Sequence, residues 1–101
     1  AVLPTIRSAM RATVTDGSAK TLADLPFPVF GKTGTAQHAP NKRPHAWFVG
    51  FAARTAPPLG AGQAESRKAV VVVLIEEGGE GSAAAVPVAR EILSAWARAG
   101  I

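Results

Sequence analysis

The stretch from Phe30 to Gln37 reads Phe-Gly-Lys-Thr-Gly-Thr-Ala-Gln and holds the densest reactive chemistry in the 101-residue chain. Lys32 offers an ammonium, and Thr33 and Thr35 offer hydroxyls. Gly34 carries no Cβ, so a ligand can lie close to the backbone there. Together they outline an anion site. Gly31-Lys32-Thr33 also fits the end of a phosphate-binding loop, but such a loop needs a glycine five residues before Gly31. Pro26 stands at that position with no glycine between, which removes the phosphate-loop reading. The plain alternative is a polar strand end without a ligand.

Lys-Thr-Gly is also a catalytic signature of active-serine penicillin-recognising enzymes, in which the triplet lies on a strand bordering the site. Its surroundings strengthen the match. Gly31-Lys-Thr-Gly-Thr-Ala-Gln37 is followed by His45-Ala-Trp-Phe-Val-Gly-Phe-Ala52, a valine-rich run, and Pro87-Val-Ala-Arg-Glu-Ile-Leu93. In this order, over nearly the whole chain, the sequence resembles the C-terminal part of the transpeptidase domain of monofunctional (class B) penicillin-binding proteins.

The resemblance implies acyl transfer on the D-Ala-D-Ala end of a peptidoglycan stem peptide, with β-lactams trapping the acyl-enzyme. On this chain it implies that Lys32 supplies positive potential and takes part in proton traffic, and that the hydroxyls of Thr33 and Thr35 hold the substrate carboxylate. The N–H of Thr35 would donate into the oxyanion hole, a role worth about 3 kcal/mol. Gly34 would let the substrate backbone approach, and Gln37 would border the leaving or acceptor side. No cofactor or metal is implied.

The rest of the signature is missing. Three residues after Ser8, Ser18, Ser66, Ser82 and Ser94 stand Arg11, Thr21, Ala69, Ala85 and Ala97, so no Ser-x-x-Lys exists. Arg11 cannot stand in as a base, because a guanidinium does not deprotonate in proteins. Asn41 is preceded two residues earlier by Ala39, so Ser-x-Asn is absent too. The expectation is that residues 1–101 form the C-terminal segment of a single transpeptidase domain. The remaining N-terminal part would carry the nucleophile, both missing motifs and a membrane anchor, placing the enzyme on the extracytoplasmic (periplasmic) face of the cell membrane. Alone, the chain is expected neither to bind penicillin covalently nor to turn over substrate.

Bulk properties agree with a small globular unit. At 48% hydrophobic residues the chain can form a core, and at this length that core is limited. A net charge of +4 favours anionic partners without choosing among nucleic acid, lipid headgroups and cell-wall polymers. The chain has no cysteine, so its redox compartment is not legible. No run approaches a membrane span, and the start resembles no signal peptide. Beginning on Ala1 rather than Met, the chain is expected to have any targeting segment on a preceding part.

Periodicity supplies the elements that position the motif. Ile6, Met10 and Val14 recur every four residues in a helix from Pro4 to about Val14, stopped at Asp16-Gly17, with Arg7 and Arg11 facing solvent or lining a groove. Ser18 to Pro28 forms a turn and a connection with Phe27 packed inward. Val29 to Ala36 is a strand, placed at a sheet edge by Pro28. Its free backbone groups could then pair with an extended peptide. Ala46 to Ala53 alternates Trp47, Val49 and Phe51 against Phe48 and Gly50, with Trp47 expected in the core. Thr55 to Ser66 is a hairpin loop. Ala69 to Ile75 is a central strand covered on both faces. Ala83 to Ala99 is a helix striped by Val86, Ala89, Leu93 and Trp96, with Pro87 in its first turn. The fold class is α+β: three antiparallel strands, part of a five-stranded sheet covered by helices, with the valine-rich strand lacking one neighbour.

The same residues allow other functions to be compared with this one. His38 and His45 fit no common zinc-ligand spacing, and no cysteine completes a set. A class D β-lactamase or β-lactam sensor domain also carries Lys-Thr-Gly and an aromatic strand, but the His45-Ala46-Trp47 lead-in and the last helix look more like the transpeptidase. A nucleic-acid module would use Lys42, Arg43, Arg67 and Lys68, yet the aromatics sit in apolar strands apart from them, so no nucleic acid is expected. A nonenzymatic paralogue that kept the fold and lost the serine is the remaining alternative.

Overall fold

The computed structural model describes residues 2–56 and 65–99. Helix α1 (Val2–Thr15) is followed by a single 3-10 turn (Lys20–Leu22), three strands and a long helix. The strands are β1 (Val29–Ala36), β2 (His45–Ala56) and β3 (Glu65–Ile75), and the last element is α2 (Gly81–Ala99). The sheet is antiparallel with order β1-β2-β3, so β2 is central and β1 lies at an edge. The edge position of β1 agrees with expectation, though Pro28 stands just before the strand and its missing N–H faces β2, where it removes one bond at the start of the ladder.

One face of the sheet forms the core. Val29, Ala46, Phe48, Ala52, Val71 and Val73 turn toward the Ala85, Val86, Ala89 and Leu93 stripe of α2, and all are buried. Phe48 is the largest side chain that is fully buried. Its ring lies across Gly50, where an added Cβ would stand 2.8 Å from Phe48 Cζ and 2.4 Å from the Phe30 carbonyl oxygen. At the lower end of the core, Phe27 meets Trp96 edge-on with centroids 5.3 Å apart. Arg90 of α2 ties down the 3-10 turn by bonding the Thr21 carbonyl and the Asp24 carboxylate. The hydrogen bonds from Arg90 hold the Asp24 carboxyl below the usual carboxylate range.

Two expectations are corrected. The valine-rich strand β3 lacks one neighbour, as expected, and in the described residues one of its faces is covered: Val71 and Val73 are buried, while Val70 is 78% exposed and Val72 57% exposed. Among these three strands the middle place goes to β2, which pairs on both sides. Trp47 is not in the core; it lies half-buried on the open face with Val49, because the period-two alternation turns Phe48 inward. Pro87 lies beyond the first turn, since α2 starts at Gly81 rather than Ala83. Strand β1 has its expected bounds, β2 and β3 are longer than expected, and residues 57–64 of the expected hairpin loop lie outside the described residues.

Phe48→Ala is expected to destabilise the intact protein by about 3–5 kcal/mol and Gly50→Ala by about 1–3 kcal/mol. Denaturant unfolding measures both. Losses below about 1 kcal/mol at both positions would contradict this assignment of the core.

Candidate active site

Strand β1 splits the motif between two faces and an edge. Register pairs Lys32 with Val49, Thr33 with Phe48, Gly34 with Trp47 and Thr35 with Ala46. Val49 in turn pairs with Val72. Lys32 therefore shares the open face with Val49 and Val72, while Thr33 and Thr35 share the α2 face with Phe48 and Ala46. The ammonium of Lys32 is exposed at the mouth of a groove of about 430 Å³, lined also by Ile6, Ala9, Met10 and Thr13 of α1. The stripe that predicted α1 is thus only partly spent on the core: Val14 is buried, whereas Ile6 and Met10 line the groove beside Lys32.

The third direction is the outer edge. Ala53 N–H donates to the Pro28 carbonyl at 3.2 Å, which sets the alternation of the ladder. Counting along the register, Phe30, Lys32, Gly34 and Ala36 stand in hydrogen-bonded pairs with β2. Val29, Gly31, Thr33 and Thr35 stand in the alternate pairs, whose N–H and C=O point away from β2. Two contacts agree with this count. Arg11 Nη1 donates to the outward Val29 carbonyl at 2.8 Å, and Lys32 Nζ donates to the outward Thr33 carbonyl at 2.7 Å. Arg11 also lies over the Phe30 ring, 5.8 Å from its centroid, so it lines the edge as one of the two expected positions. The Thr35 N–H is directed outward, next to the close backbone at Gly34.

Both hydroxyls have protein partners. Thr33 Oγ1 lies 2.6 Å from Ser18 Oγ. Thr35 Oγ1 accepts from Gly81 N–H at 3.2 Å and donates to Glu80 Oε2 at 3.3 Å. The first turn of α2 seats directly against the motif: a Cβ at Gly81 would stand 2.5 Å from the Gly34 carbonyl oxygen and 2.7 Å from that of Trp47. Gln37 turns away from the strand and donates to the Ala39 and Lys42 carbonyls at 3.1 and 3.2 Å, closing the loop that follows. That loop is tied further by the stacked rings of His38 and His45, 4.0 Å apart, and by His45 Nδ1 accepting from Glu77 N–H at 2.9 Å.

The structure thus brings Lys32, Thr33, Gly34 and Thr35 together and sets Gln37 apart in the loop. It adds Ser18, Glu80 and Gly81, which sequence reasoning missed. Glu80 and Gly81 lie 45 and 46 residues from Thr35, and no local pattern links them. Ser18 gave a faint signal, as the residue directly after the Asp16-Gly17 helix stop.

A lysine facing an open groove, an outward N–H three residues on, and glycine between them make a wall suited to a developing oxyanion and a carboxylate. The description that matches this chain is "Penicillin binding protein transpeptidase domain", over residues 2–94. The chain belongs to that family. Among curated relatives, the chain is similar to the peptidoglycan D,D-transpeptidase PbpA of Mycolicibacterium smegmatis. The two are 36% identical over 80 residues, covering 71% of this chain and 14% of that protein. PbpA of Mycobacterium tuberculosis is also 36% identical, over 75 residues covering 66% of this chain and 13% of the relative. The chain therefore spans about one-seventh of the length of these relatives. No solved structure matches it significantly. The α+β arrangement of antiparallel sheet and helices is consistent with the transpeptidase fold.

Gly81→Ala is expected to push the first turn of α2 off the Gly34 and Trp47 carbonyls. The expected cost is about 1–3 kcal/mol of stability in the intact protein, read by denaturant unfolding. A variant of unchanged stability would contradict the seating described.

Proposed function

We propose that this chain is the Lys-Thr-Gly wall of a serine-type peptidoglycan D,D-transpeptidase. The reading rests on the family match and on one observation above all: Lys32 on the open face and the outward Thr35 N–H flank the same strand edge. The printed names of the relatives, peptidoglycan D,D-transpeptidases, favour this over a β-lactamase or a sensor.

In the proposed reaction a serine Oγ from the preceding part of the protein attacks the carbonyl of the penultimate D-Ala. The C–N bond to the terminal D-Ala breaks, and the serine proton passes to the leaving amine. An amine of a neighbouring stem then attacks the ester, forms the cross-link and returns the proton to the serine. Thr35 N–H stabilises the oxyanion in both steps. The Lys32 ammonium supplies positive potential for the carboxylate and for the proton transfers. Gly34 lets the substrate backbone lie against β1 as an added strand. The hydroxyls of Thr33 and Thr35 bind the terminal carboxylate by exchanging their partners Ser18 and Glu80. Gln37 acts at a distance, by holding the loop at the acceptor end of the strand.

The same proposal accounts for the open face. The exposed Val49, Val70, Val72 and Leu74 would be covered, and the free edge of β3 paired, by the part of the domain that carries Ser-x-x-Lys and Ser-x-Asn. Among the described residues no helix is long and apolar enough to cross a membrane. The anchor and the periplasmic location belong to that same preceding part.

The test is an intact-mass measurement of the whole protein after incubation with benzylpenicillin. One penicilloyl adduct is expected, mapping outside this chain. Lys32→Ala is expected to slow its formation by about 100-fold or more, the scale on which a charge-stabilising group acts. An unmodified protein, or a Lys32→Ala variant acylated at the wild-type rate, would overturn the assignment.

A further inference from the structure

Thr35 has one hydroxyl proton to give, and Glu80 holds it. The oxygen already accepts from Gly81 N–H, at 3.2 Å, so the proton points to Glu80 Oε2 at 3.3 Å. A threonine hydroxyl has a single O–H donor, and a carboxylate ligand is acceptor-only. A ligand carboxylate can therefore bond the Thr35 hydroxyl as acceptor only by drawing its proton away from the Glu80 carboxylate. Glu80 is well placed to keep it. Its own carbonyl accepts from Ala83 and Ala84 N–H at 3.1 and 2.9 Å, which makes it the residue at the start of α2, where the helix dipole favours a negative side chain.

We infer that Glu80 is a specificity-determining residue, an internal carboxylate that competes with the ligand carboxylate for the Thr35 hydroxyl. The inference rests on the transpeptidase reading of Thr35. Competition has two parts. The O–H must be released from one carboxylate before it binds another, and the remaining Glu80 charge repels the incoming anion at short range. Glu80 is exposed, so solvent screens the repulsion and keeps it modest. Glu80 therefore acts as a filter: it lowers affinity for small anions that reach Thr35 by charge alone. A substrate that also pairs its backbone along β1 can outcompete it.

The experiment compares the intact wild-type protein with Glu80→Gln and Glu80→Ala, reading the pre-acylation dissociation constant and the acylation rate by stopped flow. Benzylpenicillin and its methyl ester, which lacks the carboxylate charge, are the two probes. Glu80→Ala is expected to bind benzylpenicillin about fivefold more tightly, the size of one screened surface charge interaction. Glu80→Gln, which keeps an acceptor for the hydroxyl but loses the charge, is expected to fall between it and wild type. The methyl ester, which keeps a carbonyl acceptor but no charge, is expected to show a smaller difference among the three, since only the hydrogen-bond part remains.

Two further outcomes separate a filter from a merely structural role. Removing the hydroxyl with Thr35→Val is expected to abolish the hydrogen-bond part of the difference between Glu80→Gln and Glu80→Ala. Equal changes for acid and ester, or weaker binding of both with a lowered melting temperature, would overturn the inference in favour of a structural Glu80. A wild-type protein that benzylpenicillin never acylates would overturn the transpeptidase reading itself, and this inference with it.

Discussion

Everything in the site depends on β1 being paired on one side only. Just before the strand Pro28 has no N–H to give to β2, and the single bond from Ala53 to its carbonyl sets the phase of the ladder. From that phase it follows that the backbone groups of Gly31, Thr33 and Thr35 point outward, while Lys32 and the two threonines alternate between faces. A strand paired on both sides would bury those groups and leave no backbone edge for a peptide to meet. A strand shifted by one residue would send Lys32 into the Phe48 core and turn Thr35 N–H toward β2.

The second dependence is the contact between α2 and the motif. The helix lays its Ala85, Val86, Ala89 and Leu93 stripe on the core face, and its first residue, Gly81, packs against the Gly34 and Trp47 carbonyls. Core packing and site geometry are joined at that point. The depth at which α2 sits over Phe48 also sets where Gly81 N–H and Glu80 meet Thr35. Asp24 and Arg90 fasten the other side of α2 to the 3-10 turn, and Phe27 and Trp96 close the lower end. An edge strand is exposed to fraying, and this anchoring supplies the rigidity that a preorganised donor requires.

Much of this was legible in the sequence because the signals are local. The Phe30–Gln37 motif carries its chemistry in residue types, Pro28 marks where the strand begins, and the alternation of Trp47, Phe48 and Val49 predicts a strand. The apolar run Val70 to Ile75 suits burial on both faces, and one of its faces and one of its edges are open among the described residues, in line with a strand that lacks a neighbour. Alternation does not say which side is inward, and the core place expected for Trp47 belongs to Phe48. Glu80 and Ser18 were illegible for a different reason: their roles arise only when distant segments meet at β1.

The acyl carbonyl is proposed to be held at the strand edge by Thr35. The most direct test is the structure of the intact protein acylated by benzylpenicillin. The acyl carbonyl oxygen is expected about 3 Å from Thr35 N–H, with the Lys32 ammonium facing the esterified serine across the open side of β1. An acyl group bound elsewhere, with the Thr35 edge paired to another strand of the protein, would contradict it.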